Sequence, residues 1–471
     1  MKRNVAALLC CSLLSACNLA PVYAPAKMTI PESFREEPGW RVAMPADDVA
    51  RGEWWKLFDD TVLDDLQQRL TISNQTLAAA KAAYDQARAL VREQRASLLP
   101  VVSLSGSGSK VGSFGSGNPN VGNNGSVSTS GSERYSVTIG GSWEPDLWGR
   151  ISNAVRQSGA LAEASAADLA NATLSAQGEL ALDYVQLRSL EAQQKVLDAT
   201  IAAYDRALTI TQNRYNAGVV ARSDVLQAET ALRNARADIA DLGRQRAVFE
   251  HAIAVLVGEN PSGFTLPPNE WRRVVPDVPA VLPASLLERR PDIASAERRV
   301  AAANAFIGVE RAAYFPTIDL SADAGYSASN RNTLFDSASS VWSLGLNGAL
   351  TLLDFGARSA RVDAARASYE QTVAEYRQTV LLAFAQIEDQ LAATRVLRIV
   401  ADEREAAAVA ANRAEEIARN QYIAGETGYA EVIVAQTSAL SARQAQIQAV
   451  VDRQAASISL IQALGGHWED R

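Results

Sequence analysis

The chain repeats itself. Tyr215-Asn216-Ala217-Gly218 recurs as Tyr422-Ile423-Ala424-Gly425, 207 residues on (422 − 215), and the same offset carries Gly149 onto Gly356, Val155 onto Val362, Thr230 onto Thr437 and Gly258 onto Gly465. A period of about 200 residues is far too long for a solenoid unit, so the 471 residues are two copies of one unit. Each motif is a helix stop followed by a helix start. The glycine supplies the left-handed backbone that ends a helix, and Ser223 or Thr427 is placed to cap the next one. Two long helices therefore fold back on each other once per copy.

Within each copy the apolar period changes. A helix is predicted over Val62–Leu98, with Leu63, Leu66, Leu70, Leu77, Tyr84 and Leu90 on one side, and Pro100 ends it. Beyond it Val102 and Leu104 alternate with Ser103, Ser105 and Ser107. After a Gly/Ser/Asn-rich stretch read as a surface loop from Gly106 to Ser132, Tyr135, Val137, Ile139 and Trp143 oppose Ser136, Thr138, Ser142 and Glu144. The second copy does the same. Ile318, Leu320, Ala322, Ala324 and Tyr326 oppose Asp319, Ser321, Asp323 and Ser327, and Trp342, Leu344, Leu346 and Leu350 oppose Ser343, Asn347 and Thr351. The Pro-to-Gly spacing is 49 residues in the first copy (149 − 100) and 40 in the second (356 − 316), a difference that falls in the loop. Period-2 strands of about ten residues, apolar on one face and polar on the other, are the signature of an outer-membrane barrel. Asp319 and Asp323 then line the pore. Trp143, Trp148 and Trp342 sit near strand ends, as an aromatic belt or as corner packing.

After Gly149 and Gly356 a helical pattern runs about 65 residues, close to 100 Å at 1.5 Å per residue. A helix that long needs a partner to stay folded. Leu197, Ile201, Tyr204, Leu208, Thr211 and Tyr215 step by 4 and 3, as do Tyr369, Val373, Tyr376, Val380, Ala383 and Ile387. That is the repeat of a left-handed coiled coil. The return helices, Asp224–Val257 and Glu431–Leu464, are half as long, and the leading helix of the second copy is placed at Ala284–Ala313. Charges along these helices read as solvated faces.

Composition agrees. Hydrophobic residues make 48% of the chain but aromatics only 6%, because alanine, suited to close-packed helices, supplies much of the apolar share. No run of 18 apolar residues exists outside the N-terminus, so no spanning helix is expected. The net charge of −8 argues against nucleic acid as a partner. Two histidines, His251 and His467, cannot assemble a histidine-based metal site. No phosphate-cradling glycine loop or nucleophile elbow is present, so no enzyme and no cofactor is expected.

Lys2 and Arg3, the apolar run Val5–Leu14 and then Leu14-Ser15-Ala16-Cys17 form a secretory signal. Its ending resembles a bacterial lipobox, which implies cleavage before Cys17 and a lipid on its thiol. Asn18, rather than an aspartate, implies sorting to the outer membrane. The expected organisation is a signal peptide (1–16), a lipidated proline-rich arm (17–60), a first structural repeat (61–258), a Pro-rich linker (259–284), a second repeat (285–466) and a short tail (467–471).

Closure sets the assembly. Four strands leave two unpaired edges, which lipid does not tolerate, and bacterial barrels begin at eight strands. Dimer, trimer and tetramer all reach that number. Eight strands fill their lumen with side chains whereas twelve leave a pore, which favours a trimer. The competing reading is a secreted coiled-coil scaffold or adaptor without a barrel, which the alternating strands argue against.

Arg289-Arg290-Pro291-Asp292-Ile293, Ala313-Tyr314-Phe315-Pro316, Asp146-Leu147-Trp148-Gly149-Arg150, Tyr215-Asn216-Ala217-Gly218 and Ala463-Leu464-Gly465-Gly466-His467-Trp468, in this order and spacing, resemble the TolC/OprM/NodT outer-membrane efflux channels over essentially the whole chain. The resemblance implies an α+β membrane protein: a homotrimer with a twelve-stranded barrel, four strands per chain, continued into a long periplasmic α-helical coiled-coil barrel. It implies a lipid-anchored efflux duct of the outer membrane, docked to a periplasmic adaptor (membrane fusion) protein and an inner-membrane pump of RND type, passing drugs or other small toxic compounds outward. It also implies a gate at the periplasmic tip. Asp224 matches the acid of the first hairpin, Ser223 its hydroxyl neighbour and Tyr422 the tyrosine that the acid contacts. Two positions depart from that pattern. The basic or polar position after Gly425 reads Glu426-Thr427, which leaves Arg222 of the other hairpin as the substitute. A gate acid is replaced by Val434, with Glu431 supplying an acid one turn earlier.

Overall fold

In the computed structural model the described residues are 19–25, 35–36, 52–112, 132–276 and 290–466. Cys17 and His467 lie outside them. A short 3-10 helix, Trp54–Phe58, is followed by α1 (Thr61–Ser73), α2 (Gln75–Ala96), β1 (Val101–Val111), β2 (Ser132–Trp143), α3 (Arg150–Asn216) and α4 (Arg222–Leu256). The second half gives α5 (Pro291–Ala312), β3 (Thr317–Ala328), β4 (Ser340–Ala349), α6 (Ala357–Ala424) and α7 (Tyr429–Ala463). The chain divides into two compact units. One is Met1–Ala26, Asp85–Ala164 and Glu297–Ala374; the other is Lys27–Tyr84, Ser165–Ala296 and Glu375–Arg471.

The first unit holds a four-stranded antiparallel sheet in the order β1-β2-β3-β4. Its register aligns every apolar set. Leu104 lies opposite Ile139, Ile139 opposite Ala324 and Ala324 opposite Trp342, and two periods of the pleat away Trp143, Leu320 and Leu346 form another row. The other face carries Ser103, Gly140, Asp323 and Ser343 in one row, with Ser105 and Thr138 hydroxyls 2.8 Å apart in the next. A slip of one residue would exchange the two faces. The apolar face lies open: Trp342 is 81% exposed and Leu104 76%. The glycine-rich residues 106–111, expected in the loop, belong to β1. Gly108 lies beneath the Tyr135 ring, where a Cβ would be 3.3 Å from two ring carbons, so the missing side chain makes room for a cross-strand aromatic.

Residues 19–23 of the arm lie along α5 within the same unit. Arg311 donates to the Leu19 carbonyl at 3.2 Å and Asn304 to that of Pro21 at 2.9 Å, and the Tyr23 hydroxyl donates to Glu297.

The second unit carries the main core. Trp54, Trp55 and Phe58 pack with Leu63, Leu66 and Leu70 of α1, Leu180 and Leu187 of α3, Ile253 of α4 and Ile458 and Ile461 of α7. On α3, Leu190, Leu197 and Tyr204 follow one another at seven-residue steps against Leu232, Ala235 and Leu242 of α4, the seam of a coiled coil. Thr211 continues the row at no exposure. Three expectations are corrected here. The single helix over Val62–Leu98 is two helices, because Asn74 leaves helical geometry (ψ 123°). Its side-chain amide donates to the Leu256 carbonyl at 2.7 Å and its oxygen accepts from the Leu77 N–H at 2.9 Å. One residue thus caps α2 and satisfies the end of α4. Residues 284–289 of the expected leading helix of the second copy lie outside the described residues; Arg290 is not helical, and the helix runs from Pro291, where the ring's fixed φ suits a first turn. Ser223 and Thr427 cap nothing: the N-caps are Ala221 and Gly428, without a side-chain bond.

Residues 259–276 of the Pro-rich linker lie against the core as a strap. Phe264 and Leu266 are buried in the core. Beneath the strap, Glu191 receives Arg188 at 2.8 Å and Arg246 at 3.1 Å, and Arg246 also pairs with Glu250 at 2.9 Å. The strap's backbone completes this network through Pro267, Leu266 and Asn269.

Candidate functional site

The two helical hairpins end alike. Gly218 (φ 75°) and Gly425 (φ 79°) sit in the left-handed region, where a residue with a Cβ is strained. Val219 N–H returns to the Arg214 carbonyl and Glu426 N–H to that of Gln421, each at 2.9 Å, which closes the last turn of α3 and of α6.

The ends of both hairpins meet around Tyr422. It is buried with Ala228 of α4 and Tyr429 and Val432 of α7, against Ala207 and Leu208 of α3. The Tyr422 and Tyr429 rings lie 5.2 Å apart at 58°. The Tyr422 hydroxyl is 3.4 Å from Thr211 Oγ1, and Arg214 Nη1 donates to the Tyr422 carbonyl at 2.9 Å. Tyr429 has its hydroxyl buried, and burial, with Tyr422 next in effect, pushes its ionisation up to about 12. It stays neutral at physiological pH.

The expected gate residues take separate places. Asp224, half-buried in the first turn of α4, accepts from the Ser223 hydroxyl at 3.3 Å. Arg222 is exposed. The arginine on Tyr422 is Arg214, and the hydroxyl on its phenol is Thr211; the structure does not bring Asp224 to Tyr422 as a hydrogen-bond partner within the chain. Glu431 is exposed and accepts from Thr427. Val434 is 70% exposed and lines a shallow groove with Ala414, Ala430, Glu431, Ala435 and Ser438. Thr211, Arg214 and Tyr429 are absent from the expectation. The duplication carried one signal for them: the repeat places Tyr429 where the first copy has Arg222 (222 + 207), so the two hairpins differ at that position.

On the polar face of the sheet, Asp319 lies opposite Asn347 and Asp323 opposite Gly140 and Ser343. Ser343 donates to Asp323 at 3.3 Å. A Cβ at Gly140 would stand 2.2 Å from Asp323 Oδ1, so the glycine is what leaves the carboxylate its position. The tryptophans divide. Trp148 is corner packing, stacked on Phe315 at 4.9 Å and donating to the Pro316 carbonyl at 2.7 Å. Trp143 donates to the Leu98 carbonyl at 2.9 Å, while Trp342 stands free on the apolar face. Among the described residues no group of His, Cys, Asp and Glu is suited to hold a metal ion, and no helix is long and apolar enough to cross a membrane.

A profile of the outer membrane efflux protein family matches residues 66–259 and 282–466. The probable efflux pump outer membrane protein TtgC of Pseudomonas putida is 29% identical over 462 residues, 98% of this chain and 94% of its own. The cation efflux system protein CusC of Escherichia coli K12 is 29% identical over 464 residues, 96% of this chain and 97% of its own. The solved outer-membrane channel OprN superposes with a TM-score of 0.86 at 30% identity, over 96% of this chain and all of that one. The matches run through the membrane strands and both helical hairpins, which sets aside the secreted scaffold. The chain belongs to the outer membrane efflux protein family, as an outer-membrane component of an efflux system.

Proposed function

We propose that three copies of the chain close a twelve-stranded barrel and form a passive exit duct, fed by a periplasmic adaptor and an inner-membrane pump of RND type. The observation that carries this reading is the sheet: one face apolar and exposed, the other polar, with β1 and β4 as open edges. In lipid such edges must pair with another chain, and twelve strands leave a lumen that eight would fill. No step of such transport requires chemistry from the duct. A relative whose name specifies cations and one whose name specifies toluene are each 29% identical to this chain over 96% and 98% of its length, which supports placing cargo choice with the pump.

Ion selectivity tests the pore. Asp319 and Asp323 of each chain place carboxylates on the polar face, which favours cations. Reversal potentials in a salt gradient should show cation preference, and Asp319→Asn with Asp323→Asn should reduce it. Anion preference in the unchanged protein would mean that the polar face does not line the lumen.

We also infer that Cys17 carries a lipid. The chain two residues later is held by Arg311, six residues before β3 begins (317 − 311), which supports an anchor at the level of the strand ends. Intact mass of the mature chain should show Cys17 as the first residue with acyl groups attached. An unmodified start elsewhere would remove the anchor. Asp224, Ser223, Arg222, Tyr422, Glu431 and Val434 are proposed as the periplasmic gate, supported by the exposure of Arg222, Glu431 and Val434 beside the Tyr422 cluster.

A further inference from the structure

Arg214 occupies the last turn of α3 and reaches across to the last turn of α6. Its Nη1 donates to the main-chain carbonyl of Tyr422 at 2.9 Å, and its guanidinium carbon lies 4.5 Å from the centre of the Tyr422 ring. The two contacts answer different needs. The carbonyl is among the last four of the helix and accepts from the Gly425 N–H at 3.1 Å, so the guanidinium takes its second lone pair, at the end where the helix dipole favours a cation. The ring offers its electron-rich face to the same planar group. Lysine could supply the charge but not the planar stack and in-plane donor together.

The duplication shows that this grip runs one way. The counterpart of Arg214 is Gln421 (214 + 207), and the counterpart of Tyr422 is Tyr215, which is 39% exposed where Tyr422 is 6%. The first hairpin therefore holds the end of the second, and no equivalent pair holds the end of the first. The basic partner absent after Gly425 is thus supplied from α3.

We propose that Arg214 is the latch of the periplasmic tip. Its guanidinium on the Tyr422 carbonyl and ring keeps the second hairpin closed against the first, and the duct widens only when that grip is released. This rests on the tips being the gate. Arg214 acts through Tyr422 and is a positioning residue, so its test needs a readout that folding alone does not move.

The full-length protein should be examined in planar bilayers as Arg214→Ala, Arg214→Lys and, separately, Asp224→Ala with Tyr422→Phe. One hydrogen bond and one cation–π contact correspond to roughly a tenfold change in the closed-to-open ratio for each chain that carries them. Arg214→Ala should raise conductance several-fold at an unchanged melting temperature, and Arg214→Lys should stay well above the unchanged protein. Wild-type conductance in both Arg214 variants, with the Asp224/Tyr422 variant open, would overturn the latch and leave the gate where it is. Wild-type conductance in all three would overturn the gate and the latch together. Full closure by lysine would reduce Arg214 to a charge at a helix end and overturn the ring clamp, and so would a conductance rise that only follows a lowered melting temperature.

Discussion

Asp224→Ala combined with Tyr422→Phe should raise single-channel conductance several-fold and let large antibiotics into cells, with little change in the stability of the assembly. Tyr422 is the residue on which the ends of both hairpins converge, and its hydroxyl meets Thr211 across them at 3.4 Å. Asp224 is half-buried, and among the described residues its hydrogen bond is the weak Ser223 contact at 3.3 Å, so its carboxylate retains acceptor capacity for a neighbouring chain. A net hydrogen bond is worth about 1 kcal/mol, and three chains multiply it, so a closed tip can be lost without unfolding a helix. The competing account gives Asp224 only the helix dipole, worth about 0.3–1 kcal/mol at an N-terminus. That account lowers the melting temperature and leaves conductance alone. The two accounts therefore separate on paired measurements of current and thermal stability.

Glu191→Ala should be the most destabilising single change in the strap region. Glu191 and Arg188 are 6% and 1% exposed, and Arg246 approaches the same carboxylate. Removing one partner of a buried pair leaves an uncompensated charge, at a cost of about 3–5 kcal/mol. Here that charge is Arg188, stacked 4.9 Å from the Tyr184 ring centre, and Tyr184 in turn donates to Asp60, the N-cap of α1, at 2.7 Å. The damage should spread to the strap, whose Asn269 and Leu266 amides donate to Glu191 and Glu250. Hydrogen exchange at those two amides should accelerate by about two orders of magnitude or more, at 1.4 kcal/mol per tenfold. Glu229→Ala is the comparison, because its partner Arg233 is two-thirds exposed and such surface pairs contribute about 0–1 kcal/mol. Equal effects from the two substitutions would mean that the buried network carries nothing special.

The difference between these sites also explains what the sequence could show. Strand faces and helix seams are legible because their periods are local: Leu104 and Ser105 announce opposite faces, and Leu190, Leu197 and Tyr204 announce one seam. Contacts made across long separations leave no such mark. Arg188, Glu191 and Arg246 look like solvated charges on long helices until residues 264–269 are laid over them. Asn74 interrupts a continuous helical pattern because Leu256, 182 residues on, offers its amide a better partner than the helix does. Ser223 and Thr427 have cap-forming side chains, yet the caps fall at Ala221, two residues before the one, and at Gly428, one residue after the other, and the hydroxyls turn to Asp224 and Glu431 instead. At the tips the family pattern located the right turn of helix, while the partners of Tyr422 come from α3, whose Arg214 stands one residue before the repeated motif.

The number of chains in the assembly tests the account most directly. Four strands per chain, apolar on one face, exclude one copy and two if the lumen is to be both closed and open to solutes, and the proposed duct is built of three. Native mass spectrometry of the detergent-solubilised protein should count three copies. Two copies would give an eight-stranded barrel with no room for a duct, and a stable single chain would mean that the open edges of the sheet are satisfied in some other way.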